Sequence, residues 1–146
     1  MDHPVKNGNI GNYYIKFNNF LSRFLIFDRV FSEFAETSER IEVGDCLAAE
    51  NLPGLKCDWQ KNYVSFKYFL ENEIPEIPAD EYQDFQKCVY GILTEYASAQ
   101  RKLIDSIDES ALTIQHDQVQ LAEQKIRDCK KQINQTLQQI VTVSFG

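Results

Sequence analysis

Six phenylalanines, Phe17, Phe20, Phe24, Phe27, Phe31 and Phe34, follow one another at intervals of 3, 4, 3, 4 and 3 residues. That spacing puts every ring on one face of an α-helix, at the a and d positions of a heptad, and it fits no strand. A stripe of rings on a helix has to be covered, so this helix needs partners that bring stripes of their own. Leu21, Ile26 and Val30 lie around the ladder, and a first helix is expected over residues 13–36. Residues 1–12 are polar and contain Pro4, Gly8 and Gly11, which reads as a flexible tail ahead of a single domain at 13–146.

The rest of the chain supplies those partners. Trp59, Tyr63, Phe66 and Leu70 recur at 4, 3 and 4, which predicts a helix over 57–72. Before it, Asn51-Leu52-Pro53-Gly54 reads as a turn. The segment 37–49 is ambiguous: Thr37 or Ser38 offers an N-cap, while Gly44 weakens a helix. Pro75 and Pro78 impose an extended connector, after which a third helix opens near Pro78 or Ala79 and runs to about 108. Its stripe is Phe85, Val89, Ile92, Tyr96, Ala99 and Leu103.

Residues 92–145 contain neither Gly nor Pro. They form either one helix of roughly 90 Å or a hairpin of two. A last stripe, Val119, Ala122, Ile126, Cys129, Ile133 and Ile140 with Leu137 beside it, matches the third helix layer by layer if the chain folds at Glu109. Phe85 then faces Ile133 and Tyr96 faces Ala122. Asp105 and Ser110 bound the most turn-like stretch of the region, so the hairpin is preferred, with a fourth helix over 111–142. The expected fold is all-α: an antiparallel four-helix bundle with a long C-terminal helical hairpin.

The formal net charge is -7. Nucleic-acid binding neutralises phosphates with Lys and Arg. The basic residues are dispersed, so direct nucleic-acid binding is not expected. Tyr13 and Phe34 bound the most apolar stretch, which carries Lys16, Arg23, Asp28, Arg29 and Glu33, so no membrane insertion is expected. The N-terminus lacks the apolar core of an export signal, which points to the cytoplasm and to reduced cysteines.

Chemistry-bearing motifs are absent. Neither His3 nor His116 follows a Glu at the spacing of a di-metal bundle, and Cys46, Cys57, Cys88 and Cys129 contain no C-x-x-C pair. There is no phosphate loop, nucleophile elbow or dinucleotide fingerprint. The sequence is read as non-enzymatic, with no catalytic residue, metal or cofactor. Two cysteine pairs, Cys88 with Cys129 and Cys46 with Cys57, come near enough in the expected hairpin and turn to raise the question of disulfides.

One surface feature stands out. Glu71, Glu73, Glu76, Asp80, Glu81 and Asp84 follow one another without an intervening Lys or Arg, and Ile77 and Tyr82 are interleaved. Such a stretch suits docking on a basic protein surface, with the apolar side chains as anchors. In size and charge the chain is similar to small acidic immunity and anti-defence proteins, which neutralise a partner by binding it. The expected function is an acidic inhibitory or regulatory binding module. The alternatives are a structural subunit or chaperone whose long helices pair with other chains, as in a homo-oligomer, and a bundle that carries a small ligand.

Overall fold

The structure is a computed structural model that describes residues 2–44, 49–77 and 80–145. Four helices make up nearly all of it: α1 (Asp2–Glu42), α2 (Leu52–Asn72), α3 (Gln83–Asp105) and α4 (His116–Phe145). Cross-helix contacts set their directions. Phe20 stacks on Phe69 and Phe34 on Trp59, so α1 and α2 are antiparallel. Trp59 meets Gln100 and Phe66 meets Tyr96, so α2 and α3 are antiparallel. Asp28 meets Lys130 and Glu42 meets His116, so α4 returns alongside α1. This is the antiparallel four-helix bundle that the stripes predict.

The phenylalanine ladder is the spine of the core. Phe17, Phe20, Phe24 and Phe31 are buried, and Phe27 and Phe34 are packed against them. Phe66 is the hub: Phe24, Phe27, Phe31, Phe69 and Tyr96 all place their rings within 6.0 Å of it. The tilted and edge-on contacts among them are those that aromatic quadrupoles favour. The apolar sides of α3 and α4 close the bundle with Val89, Leu93, Val119 and Ala122. The side chains of Leu137 and Ile140, which the last stripe includes, lie outside the described residues.

Several boundaries differ from expectation. The backbone is helical from Asp2, so the segment expected as a tail forms the first turns of α1. Pro4 falls in the opening turn, where a missing N–H breaks no bond, and Gly8 and Gly11 cost about 1 kcal/mol each without ending the helix. At the other end, α1 runs through Thr37 and Ser38. Neither caps a new helix; Thr37 Oγ1 donates to the Glu33 carbonyl (2.9 Å) and Ser38 Oγ to the Ala35 carbonyl (2.8 Å). Such back-bonding satisfies a hydroxyl inside a continuing helix. Gly44 then ends α1 at φ +80, a left-handed conformation that glycine adopts without steric cost.

Pro53 and Gly54, expected in a turn, lie in the first turn of α2. Proline is tolerated there for the reason that applies at Pro4. A 3-10 turn, Asp80–Tyr82, precedes α3, which therefore starts at Gln83. Pro78 and Ala79, where the third helix was expected to open, lie outside the described residues.

Residues 92–145 fold back as a hairpin and do not form a single rod. A two-residue ladder, absent from the sequence reading, seals the bend: Ile107 pairs with Ile114 and Asp108 with Thr113. The ladder centres the fold between Ser110 and Ala111 instead of on Glu109. Asp108 Oδ1 accepts from the backbone N–H groups of Ser110 and Ala111, both at 3.0 Å, which ties the turn to the carboxylate. Lys56 reaches across from α2 to donate to the Ile107 carbonyl at 2.9 Å.

Candidate functional site

The acidic stretch becomes the last turn of α2, the connector and the start of α3. Glu71, Glu76, Asp80 and Asp84 are exposed, and Ile77 stands among them 40% exposed. The backbone of Glu81 is in the 3-10 turn; its side chain lies outside the described residues. Two carboxylates are partly neutralised from within. Glu73 accepts from Arg23 of α1, and Glu71 lies 3.8 Å from Lys67 one helical turn earlier. Tyr82 is turned inward: its ring lies 5.3 Å from that of Tyr13 and 5.8 Å from that of Tyr14. The structure thus brings most of the acidic residues to one end of the bundle but uses Tyr82 for packing.

The connector is held at Pro75 by a polar chain. Tyr13 Oη donates to Gln86 Oε1 at 2.7 Å, and Gln86 Nε2 donates to the carbonyl of the buried Pro75 at 2.8 Å. Helices α1 and α3 thereby grip the loop from both sides. Burial, followed by the neighbouring hydroxyls of Tyr14 and Tyr82, pushes the Tyr13 phenol up to about 12. It stays a hydrogen-bond donor throughout the ordinary pH range.

A second polar group sits inside the core. Asp28 is only 8% exposed, yet both of its carboxylate oxygens are used. Tyr96 Oη donates to Oδ1 at 2.6 Å, and Lys130 Nζ lies 2.8 Å from Oδ2. Three helices are tied together at one carboxylate. Burial first, then the charge of Asp28, raises the Tyr96 phenol far above its ordinary range, so it remains protonated. Beside it, Trp59 Nε1 donates to Gln100 Oε1 at 3.2 Å.

These polar residues had a signal in the sequence. Asp28 stands four after Phe24 and three before Phe31, on the same helix face as the ladder. Gln86 stands three before Val89, and Gln100 four after Tyr96. A polar residue at a stripe position has to find a partner, because an unpaired one costs 1–3 kcal/mol by typical estimates. Which partner it finds is not a local property.

Among the described residues, no group of His, Cys, Asp or Glu is gathered to hold a metal ion. No helix among them is long and apolar enough to cross a membrane. Cys57 and Cys88 are exposed free thiols, while Cys129 is buried and free. Burial is the leading cause that pushes the Cys129 thiol up, against the opposing charge of Lys125. Cys46 lies outside the described residues. Comparison with protein families, curated proteins and solved structures returns no match for this chain.

Proposed function

We propose that the protein is a non-catalytic binding module that docks a basic protein surface on the acidic face between α2 and α3. The observation that carries this reading is the anchoring of the connector at Pro75. The exposed Glu76 and Ile77 directly follow Pro75, whose carbonyl is bonded to Gln86 and, through it, to Tyr13, and the exposed Asp80 opens the 3-10 turn before α3. Residues held beside such an anchor avoid part of the entropy cost of ordering on contact. Exposed carboxylates around an exposed isoleucine supply long-range attraction and an apolar anchor. An acidic module of this kind acts as an inhibitor or regulator by covering a cationic groove on its partner.

The test is a triple reversal, Glu76→Lys, Asp80→Lys and Asp84→Lys, measured against a partner recovered from the native host. Binding weakened at least about tenfold, with an unchanged melting temperature, is the expected result. Unchanged affinity would remove the connector from the interface.

A second reading, self-association through the long helices, is favoured by the groove between α3 and α4. The groove measures about 650 Å³, with the buried Ala99 and Ala122 at its floor and Leu121 75% exposed beside them. Glu95, Lys102, Asp105 and Lys125 balance in charge around it, so a second copy of an acidic chain meets no net repulsion there. Sedimentation equilibrium of the native chain and of Leu121→Glu separates the readings: a dimer that the substitution dissolves belongs to this one.

A further inference from the structure

Two helices present the same spacing to the groove between α3 and α4. Helix α3 lines it with Glu95, Ser98, Ala99 and Lys102, and α4 with Gln118, Leu121, Ala122 and Lys125. Each set advances by 3, 1 and 3 residues, which keeps it on one helix face. The two sets lie level. Lys125 Nζ meets Glu95 Oε2 across one end at 3.1 Å, and the hairpin folds between Ser110 and Ala111, so Lys102 stands opposite Gln118 at the other end. The middle of the groove is small: Ser98, with the buried Ala99 and Ala122. Leu121 stands beside them, 75% exposed.

The charges around the groove are unevenly matched. Glu95 pairs with Lys125, and Asp105 is held by Arg101 at 3.3 Å. Lys102 is exposed and forms no ion pair among the described residues. Such a surface complements itself when a second copy is turned end for end. The rotation runs about a line across the groove, level with Ser98 and Ala99 on α3 and with Leu121 and Ala122 on α4. It brings Lys102 of each copy to Glu95 of the other. It also sets the exposed Leu121 of each copy on Ala122 of the other, large against small, and Ser98 against Ala99, so that the α3 backbones can approach closely.

We propose a pairing that rests on self-association through this groove: two copies dock face to face about a two-fold axis, α3 antiparallel to α3 and α4 antiparallel to α4, with Leu121 as the apolar contact and Glu95 and Lys102 as two reciprocal ion pairs. An isologous contact of this kind closes on itself and stops at two copies. The other two-fold docking, α3 of each copy on α4 of the other, leaves Lys102 facing Gln118. It also sets the acidic ends of two chains of net charge -7 side by side. The antiparallel pairing separates those ends. Asp84 lies about 20 Å along α3 from the axis, on opposite sides in the two copies, at 1.5 Å per residue. The two acidic faces then stand about 40 Å apart, well beyond the screening length of about 8–10 Å at physiological salt. The pair offers two docking faces that point away from each other.

The experiment is sedimentation equilibrium of the full chain from about 1 μM to about 1 mM, the range in which small interfaces dissociate. The native chain is expected to pass from monomer to dimer. A chain that stays monomeric throughout overturns self-association and this geometry together. Glu95→Lys and Lys102→Glu then test the geometry alone. In the antiparallel pair each variant sets like charges against each other at both contacts, so each by itself is expected to dimerise at least about tenfold more weakly than the native chain. Mixed in equal amounts, the two variants restore opposite charges at both contacts, and a heterodimer of near-native affinity is expected. A mixture that associates no better than the separate variants overturns the antiparallel pairing and leaves self-association standing. Far-UV circular dichroism of each variant, expected to match the native chain, shows that it folds. Lys102→Glu decides the matter by itself if Glu95→Lys does not fold: full dimerisation by that variant means that Lys102 faces no acid, and the pairing fails.

Discussion

Tyr96 of α3 donates its hydroxyl to Asp28 of α1 at 2.6 Å, in the middle of the aromatic core. A carboxylate so placed loses much of its hydration, and the bond from Tyr96 together with the Lys130 ammonium replaces it. Removing the hydroxyl by Tyr96→Phe keeps the ring against Phe24, Phe31 and Phe66. The expected loss is about 1.5–3 kcal/mol, the range for hydrogen bonds to charged groups. Lys130 is 41% exposed, so Lys130→Met is expected to cost less, within about 1 kcal/mol. Urea unfolding of the two variants measures both values, and a larger loss for Lys130→Met would reverse this ranking.

Phe66 is fully buried and touches rings from α1, α2 and α3. Phe66→Ala removes the hub and leaves a void that rigid neighbouring rings fill poorly. The expected cost is about 3–5 kcal/mol. Tyr68, two residues further along the same helix, is 67% exposed. Its alanine variant is expected to stay within about 0.5 kcal/mol of the native chain. Denaturant midpoints at constant slope are the readout.

Two glycines should respond in opposite directions to the same substitution. Gly44 holds φ +80 at the end of α1, so Gly44→Ala strains the backbone and is expected to cost about 1 kcal/mol. Gly91 lies inside α3, and a Cβ there would meet no atom within 4 Å. Gly91→Ala is expected to stabilise by about 0.5–1 kcal/mol, since it narrows the unfolded ensemble and favours the helix. Thermal melts of the two variants, shifted in opposite directions, would bear this out.

The Tyr13 phenol titrates at about 12 in the fold and at 10.0 when unperturbed. The folded state therefore keeps a proton that the unfolded chain releases first. The resulting contribution is complete below pH 10.0 and declines as pH rises toward 12. Tyr13→Phe should flatten that part of the alkaline stability curve, as read from unfolding midpoints. Equal alkaline slopes in the two proteins would show that the Tyr13–Gln86 bond does not govern it.

Much of the architecture was legible locally. The ladder from Phe17 to Phe34 marked a helix with a buried face, and the turn-rich residues after Asp105 marked the hairpin. Errors arose where a residue type has two local uses. Thr37 and Ser38 can cap a helix or bond back within one, and Pro53 can stand in a turn or in a helix's first turn. What decides is whether the apolar face continues to find neighbours, and that depends on the other helices. Tyr82 shows the same limit at the candidate site, where proximity in sequence to acids suggested an anchor and the rings of Tyr13 and Tyr14 drew it inward.

By itself, the sequence determined which face of each rod is apolar, because residues three and four apart share a helix face whatever surrounds them. It also determined that the interior would be aromatic, and it favoured a hairpin over a single rod for residues 92–145. Only the tertiary structure decided that Tyr96 and Lys130 share Asp28, that Gln86 pins Pro75, and that Trp59 meets Gln100. Those encounters join side chains from different helices. They depend on the register and separation of whole helices, which the packing of all the rings sets together.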